Sequence, residues 1–191
     1  MFARRSSKLD RSRALEELSL RIENENIIKH SLAVEAIMRK LAAHFNEDDN
    51  LWGITGLVHD IDYERIEGKM ELHGKMGGDI LEGLDADETI VYAVRAHNPM
   101  NGLPRRRKID KALYCADPMA GLIIACALIL PEKKLKNVDT KFILNRFNDK
   151  GFARGANREQ IASCSELGLT LEEFASISLE ALKEISDQLG L

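Results

Sequence analysis

Aromatic residues make up only 5% of this 191-residue chain, and proline occurs four times. A sandwich or barrel of short β-strands draws on aromatic and β-branched residues, so the shortage argues against one. Cysteine is also scarce. Cys115, Cys126 and Cys164 form no CxxC pair and are odd in number, so no complete disulfide framework is encoded. Their apolar or small neighbours suit reduced buried thiols, which makes the cytoplasm the expected compartment. Net positive charge is absent as well: 27 Lys and Arg against 31 Asp and Glu give −4. Bulk attraction to DNA or anionic lipid is therefore not encoded in the total. The longest apolar run, Met119–Leu130, is twelve residues between Pro118 and Pro131. A membrane span needs about 20, so the run reads as a buried core helix. The basic N-terminus, MFARRSSKLDRSR, lacks the apolar region of a signal peptide, and Asp10 and Glu16 speak against a transit peptide. No repeat or low-complexity linker interrupts the chain.

Leu, Ile, Ala, Glu and Lys are abundant instead, and hydrophobic residues reach 45%. This is enough for one all-α domain over residues 1–191 with a core of its own. Apolar spacing predicts helices over about 10–22, 24–45, 51–59, 72–84, 88–96 and 109–130, the last kinked or split at Pro118. Lys-rich sequence from Glu132 leads through 141–147 and the segment 151–159 to two more helices, about 157–167 and 170–189. Thr170 and Glu173 form a capping-box signature at the start of the second. Residues 132–191 are expected to form a helical cap on the same domain, since about 60 residues would be marginal alone.

The five histidines fall in unusual settings. His30 sits on the inward stripe of its helix, three residues after Ile27 and four before Val34. His59, followed by Asp60, ends a strongly apolar helix; His73 opens another beside a glycine pair; His97 closes a third. Asp117 lies within the most apolar stretch of the chain. A lone inward histidine is usually a satisfied core residue, and an aspartate before proline is often a cap. Together, however, these residues form an imidazole and carboxylate set suited to a divalent metal. His59 and Asp60 point about 100° apart on a regular helix, so they can converge only if the helix ends there. His44 stands outside the pattern and reads as a surface or helix-end residue.

In order along the chain, His30, His59-Asp60 and Asp117 resemble the HD-domain superfamily of metal-dependent phosphohydrolases. His59-Asp60-Ile61-Asp62 is similar to the HDIG-type variant, with Asp62 where that subset often has glycine. His73-Gly74-x-x-Gly77-Gly78, Ala96-His97-Asn98 and Tyr114-Cys115-Ala116-Asp117 resemble later elements of the family, so the likeness covers residues 26–130. Phe152-Ala153-Arg154-Gly155-x-Asn157-Arg158-Glu159 resembles a subgroup of predicted hydrolases. The resemblance implies an all-α HD-domain helical bundle with a C-terminal extension. It implies metal ligation by His30, His59, Asp60 and Asp117, with His73 and His97 added in members that use two ions. Iron, manganese, zinc, nickel and magnesium all occur in the family.

The implied reaction is hydrolysis of a phosphate ester, a nucleotide or related small metabolite, by metal-activated hydroxide attacking phosphorus. Asp60 is the expected bridging carboxylate. Asp62 or Glu64 could hold a histidine N–H or shuttle a proton. Phosphate also needs cations. Lys75, Arg105 and Arg107 of the Arg105–Lys108 run, and Arg154 and Arg158 are the candidates. The expected partner is a small phosphorylated substrate, with no nucleic-acid duplex and no membrane; a homodimer is compatible with the sequence. The alternative is a non-hydrolytic metal or nucleotide sensor on the same scaffold.

Overall fold

Asp10, Asn24, Asp48, Asp87 and Asp139 each turn a side-chain oxygen onto a free backbone N–H at the start of a helix. Such caps satisfy donors that a helix leaves unpaired, and each is worth about 1 kcal/mol. In a computed structural model that describes residues 9–191, these starts divide the chain into α1 (Arg11–Ser19), α2 (Glu25–Phe45), α3 (Asp49–Val58), α4 (Lys75–Gly83), α5 (Glu88–His97), α6 (Lys108–Leu128), α7 (Thr140–Asn148), α8 (Arg158–Ala162), α9 (Leu171–Glu184) and α10 (Ser186–Leu189). No strand occurs among the described residues. The architecture is an all-α bundle.

Several boundaries depart from the periodicity. α4 begins at Lys75 rather than Leu72, because Gly74 takes a positive φ of 77° and sets the first turn. Pro118 neither splits nor ends α6, which runs unbroken from Lys108 to Leu128. A mid-helix proline forfeits one backbone bond, but nearly every neighbour of Pro118 is buried, and packing holds the helix through it. Helix α7 fills a charged stretch that carries no strong apolar signal. The last two expected helices are each broken, at Ser163 and at Ile185. The Thr170–Glu173 capping box is formed in both directions.

Two apolar clusters make the core. One gathers α2 and α6 with α7–α9, including Ile37, Leu113, Ile143 and Phe174. The other joins α1, α3, α4 and α5 through Leu18, Leu57, Leu81 and Ile90. Leu32 of α2 and Leu51 of α3 pack against both. By length and composition α6 could cross a membrane. Here it is the central helix, packed against α2, α5, α8 and α9.

Candidate metal centre

Helix α3 stops at Val58, with His59 as its C-cap. Residues 59–74 then run through successive tight turns, anchored by the buried side chains of Ile61 and Ile66. That break lets adjacent His59 and Asp60 face the same point. His30 comes from α2, His97 from the last residue of α5, and Asp117 from the middle of α6.

All six side chains converge. His30 Nε2 lies 2.9 Å from Asp117 Oδ1. His59 Nε2 is 3.3 Å from Asp60 Oδ1 and 3.8 Å from Asp117 Oδ1. His73 Nε2 is 3.3 Å from Asp60 Oδ1 and 2.9 Å from His97 Nε2. Two overlapping groups result, His30–His59–Asp60 and Asp60–His73–His97, each with ligand atoms within 4.8 Å of one another. Asp60 belongs to both.

The other ring nitrogens fix orientation. His59 Nδ1 donates to the carbonyl of Gly56 (2.8 Å), and His97 Nδ1 to that of Val94 (2.5 Å). His73 Nδ1 donates to Asp62 Oδ1 at 2.8 Å. Each Nε2 is thereby left with its lone pair aimed inward, and that of His59 is buried with no hydrogen-bond partner. An orphaned buried nitrogen beside shared carboxylates is the donor arrangement that a divalent cation satisfies. The residues present fit such an ion.

The clustered imidazoles and carboxylates shift one another's titration. Burial opposes charging of His59, but Asp60 and Asp117 outweigh it and hold its pKa up at about 9. Burial is likewise outweighed at His73, where Asp60 and Asp62 raise it to about 10. His97 is pushed down to about 4 by burial and by the neighbouring His73 and His59. The two rings are thus pushed in opposite directions although their Nε2 atoms lie 2.9 Å apart. Burial works against ionisation of Asp60, yet His59 and His73 hold it at about 2. Asp117 lies well below the usual carboxylate range; burial opposes this, but His30 and His59 prevail.

Asp62 is fully buried and entirely committed. Besides His73, it accepts from the backbone N–H groups of Gly74 (2.8 Å) and Gly77 (2.7 Å). It thus holds a histidine N–H, one of the two roles expected of it, and positions the His73 ring. Glu64 is elsewhere, capping the backbone N–H groups of Glu23 and Asn24 before α2. Sequence reasoning missed Asn98 and Asn101. Both donate to the carbonyl of His73, at 3.0 and 2.9 Å, and lock its backbone. Their only sequence signal is a loop of turn-forming residues. His44 is exposed at the end of α2, edge-on to Phe45.

The side chains open into a cleft of about 410 Å³, whose walls include Tyr63, Met70 and Pro99, with Gly155 and Gln160 from the C-terminal region. No lysine or arginine lines it among the described residues. None of the expected phosphate contacts is among the cleft-lining residues. Lys75 is an exposed first residue of α4, outside the cleft. Arg105 pairs with Glu166 at 3.0 Å and stacks on Tyr114, 3.9 Å from the ring centre. Arg107 lies over the Tyr92 ring. Arg158 spends its guanidinium on six backbone carbonyls, those of Arg146, Phe147, Asp149, Phe152, Ala153 and Ala156, tying the α7–α8 connection together. Arg154 is exposed, one residue before the cleft-lining Gly155.

The family model for the HD domain matches residues 27–126, a span that contains all six converging side chains. Among curated proteins the chain is similar to Ribonuclease Y of Desulfotalea psychrophila, 29% identical over 142 residues, covering 71% of this chain and 26% of that protein. It is also similar to Ribonuclease Y of a Sulfurovum species, 23% identical over 168 residues, covering 86% and 32%. Ribonuclease Y of Lawsonia intracellularis is 28% identical over 155 residues, covering 77% and 29%. The chain therefore spans between about a quarter and a third of the length of these relatives. No solved structure matches it significantly.

Proposed function

The chain belongs to the HD domain family, and from that premise we propose that it is a metal-dependent phosphohydrolase that cleaves phosphodiester bonds of nucleotides or RNA. The observation that carries the reading is the inward convergence of imidazole and carboxylate from α2, α3, α5, α6 and the 59–74 turns. In the proposed assignment His30, His59, Asp60 and Asp117 hold one divalent ion, while Asp60, His73 and His97 hold a second. A bound divalent ion lowers the pKa of a coordinated water and polarises a phosphoryl oxygen. An imidazole-rich donor set favours iron, manganese, nickel or zinc over magnesium, which prefers oxygen ligands.

The chain's own residues do the positioning. Asp60 faces both groups and is the proposed shared carboxylate. Asp62 keeps the proton of His73 on Nδ1, so that Nε2 stays available. The carbonyls of Gly56 and Val94 do the same for His59 and His97. Tyr63, Met70 and the C-terminal Gln160 form walls of the cleft beside these side chains. The relatives' name, Ribonuclease Y, supports a phosphodiester in RNA over a phosphomonoester. Arg154 at the edge of the cleft is the proposed cation for a neighbouring phosphate.

The test is elemental analysis of the purified full chain together with hydrolysis of bis(4-nitrophenyl) phosphate and 4-nitrophenyl phosphate. One to two equivalents of a transition metal, with faster diester cleavage that chelation abolishes, is the expected result. Bound metal with no turnover of either ester would favour the sensor reading. No bound metal would end both.

A further inference from the structure

The cleft carries no positive charge beyond its histidines, although a polyanionic substrate would need several cations. Apart from the ionisable groups, its wall is apolar and amide. Tyr63 is 42% exposed and Met70 40% exposed, beside Ile27 and Pro99. Tyr63 packs edge-to-face with His73, ring centres 5.8 Å apart, so an open aromatic surface adjoins the metal side chains directly. Its hydroxyl makes no hydrogen bond among the described residues. Asn98 donates to the carbonyl of Met70 at 2.7 Å and fixes that part of the wall. Asn26 and Gln160 also line the cleft, and their carboxamides make no hydrogen bond among the described residues.

An exposed aromatic and a thioether offer a stacking surface for any nucleobase. A free carboxamide pairs one donor and one acceptor, which complements the edge of a base. The volume, about 410 Å³, suits one nucleoside rather than a folded strand. Resting on the phosphohydrolase reading, we infer that the cleft takes a singly charged phosphodiester next to an unpaired nucleobase. The base stacks on Tyr63 and Met70, its edge is read by Asn26 and Gln160, and nucleoside polyphosphates are discriminated against. The phosphate itself is left to the metal side chains.

The test compares a ribodinucleotide, the same compound with one abasic residue, and a nucleoside triphosphate as substrates of the metal-loaded full chain. It also measures binding of uncharged adenosine by calorimetry. Wild type should favour the complete dinucleotide over the abasic one by about five- to a hundredfold in kcat/KM, through KM. Tyr63→Ala should collapse that ratio toward one and weaken adenosine binding by a similar factor, while Tyr63→Phe keeps both. Tyr63 is largely exposed, so the fold should tolerate either change, and an unaltered Tm checks this. Equal cleavage of both dinucleotides by wild type, or triphosphate turnover as fast as dinucleotide turnover, would overturn the inference and leave the hydrolase reading standing. No cleavage of any ester would remove the hydrolase reading as well.

Discussion

Asp62 accepts three hydrogen bonds with no exposure to solvent, so its removal has two separable consequences. Asp62→Ala leaves the Gly74 and Gly77 amides unpaired and should cost about 1–3 kcal/mol of stability. It also frees the His73 ring to change tautomer, and the loss of such a supporting group typically costs about 10- to 100-fold in metal affinity or activity. Asp62→Asn keeps an acceptor oxygen, so its thermal stability should exceed that of the alanine variant. Metal titration and thermal melts read the two effects separately. Arg158 presents the opposite lesson. Arg158→Lys retains the charge but cannot reproduce the planar fork that meets six carbonyls. A loss of about 2–4 kcal/mol in denaturant unfolding is expected, with metal content per folded molecule unchanged. The histidines and Asp117 were legible because imidazole and carboxylate are unusual in apolar helical sequence. The bonds of Asp62 to Gly74 and Gly77 and those of Arg158 were not, because these partners are backbone groups up to 15 residues away, and no side-chain pattern records those.

At the scale of elements, the separation of α2 and α3 decides where His30 and His59 stand. A Cβ added at Gly56 would meet the Val34 carbonyl oxygen at 2.8 Å, and the neighbouring atoms are also backbone and cannot move aside. Gly56→Ala improves helix propensity by about 1 kcal/mol. Overpacking against a rigid backbone costs about 1–3 kcal/mol and more where nothing yields. Net destabilisation is therefore expected. Because the Gly56 carbonyl also orients His59, metal content should fall even at temperatures where the variant is folded. A variant as stable as wild type with full metal occupancy would show that the two helices can part freely. The helices themselves were visible in apolar periodicity, but this contact was not, since a glycine within a helical pattern looks the same whether or not a second helix crosses it. Pro118 misled for a related reason: the local rule breaks a helix, whereas burial of its neighbours Ala116, Met119 and Ala120 keeps α6 whole.

Across the whole molecule, the six converging histidine and aspartate side chains all precede residue 126, the end of the family match, yet the cleft is also lined by residues beyond it. Gly155 and Gln160 line its wall, and Leu135, Ile143, Ile161, Phe174 and Leu182 are fully buried in the same apolar cluster as Ile37, Leu113 and Met119. Each large apolar side chain uncovered forfeits about 1.5–3 kcal/mol of burial. Domains of this size are stable by only about 5–15 kcal/mol in total. Ending the chain after Pro131 therefore removes more stabilisation than the remaining helices hold, although every proposed metal ligand is retained. The fragment should lack a cooperative melt, bind a hydrophobic dye and fail to hold metal stoichiometrically. Adding residues 132–191 as a separate polypeptide should restore a cooperative transition only if the two pieces associate. A fragment that melts cooperatively with full metal content would show instead that the metal-binding half is a domain in its own right, with the C-terminal helices serving only to shape the cleft.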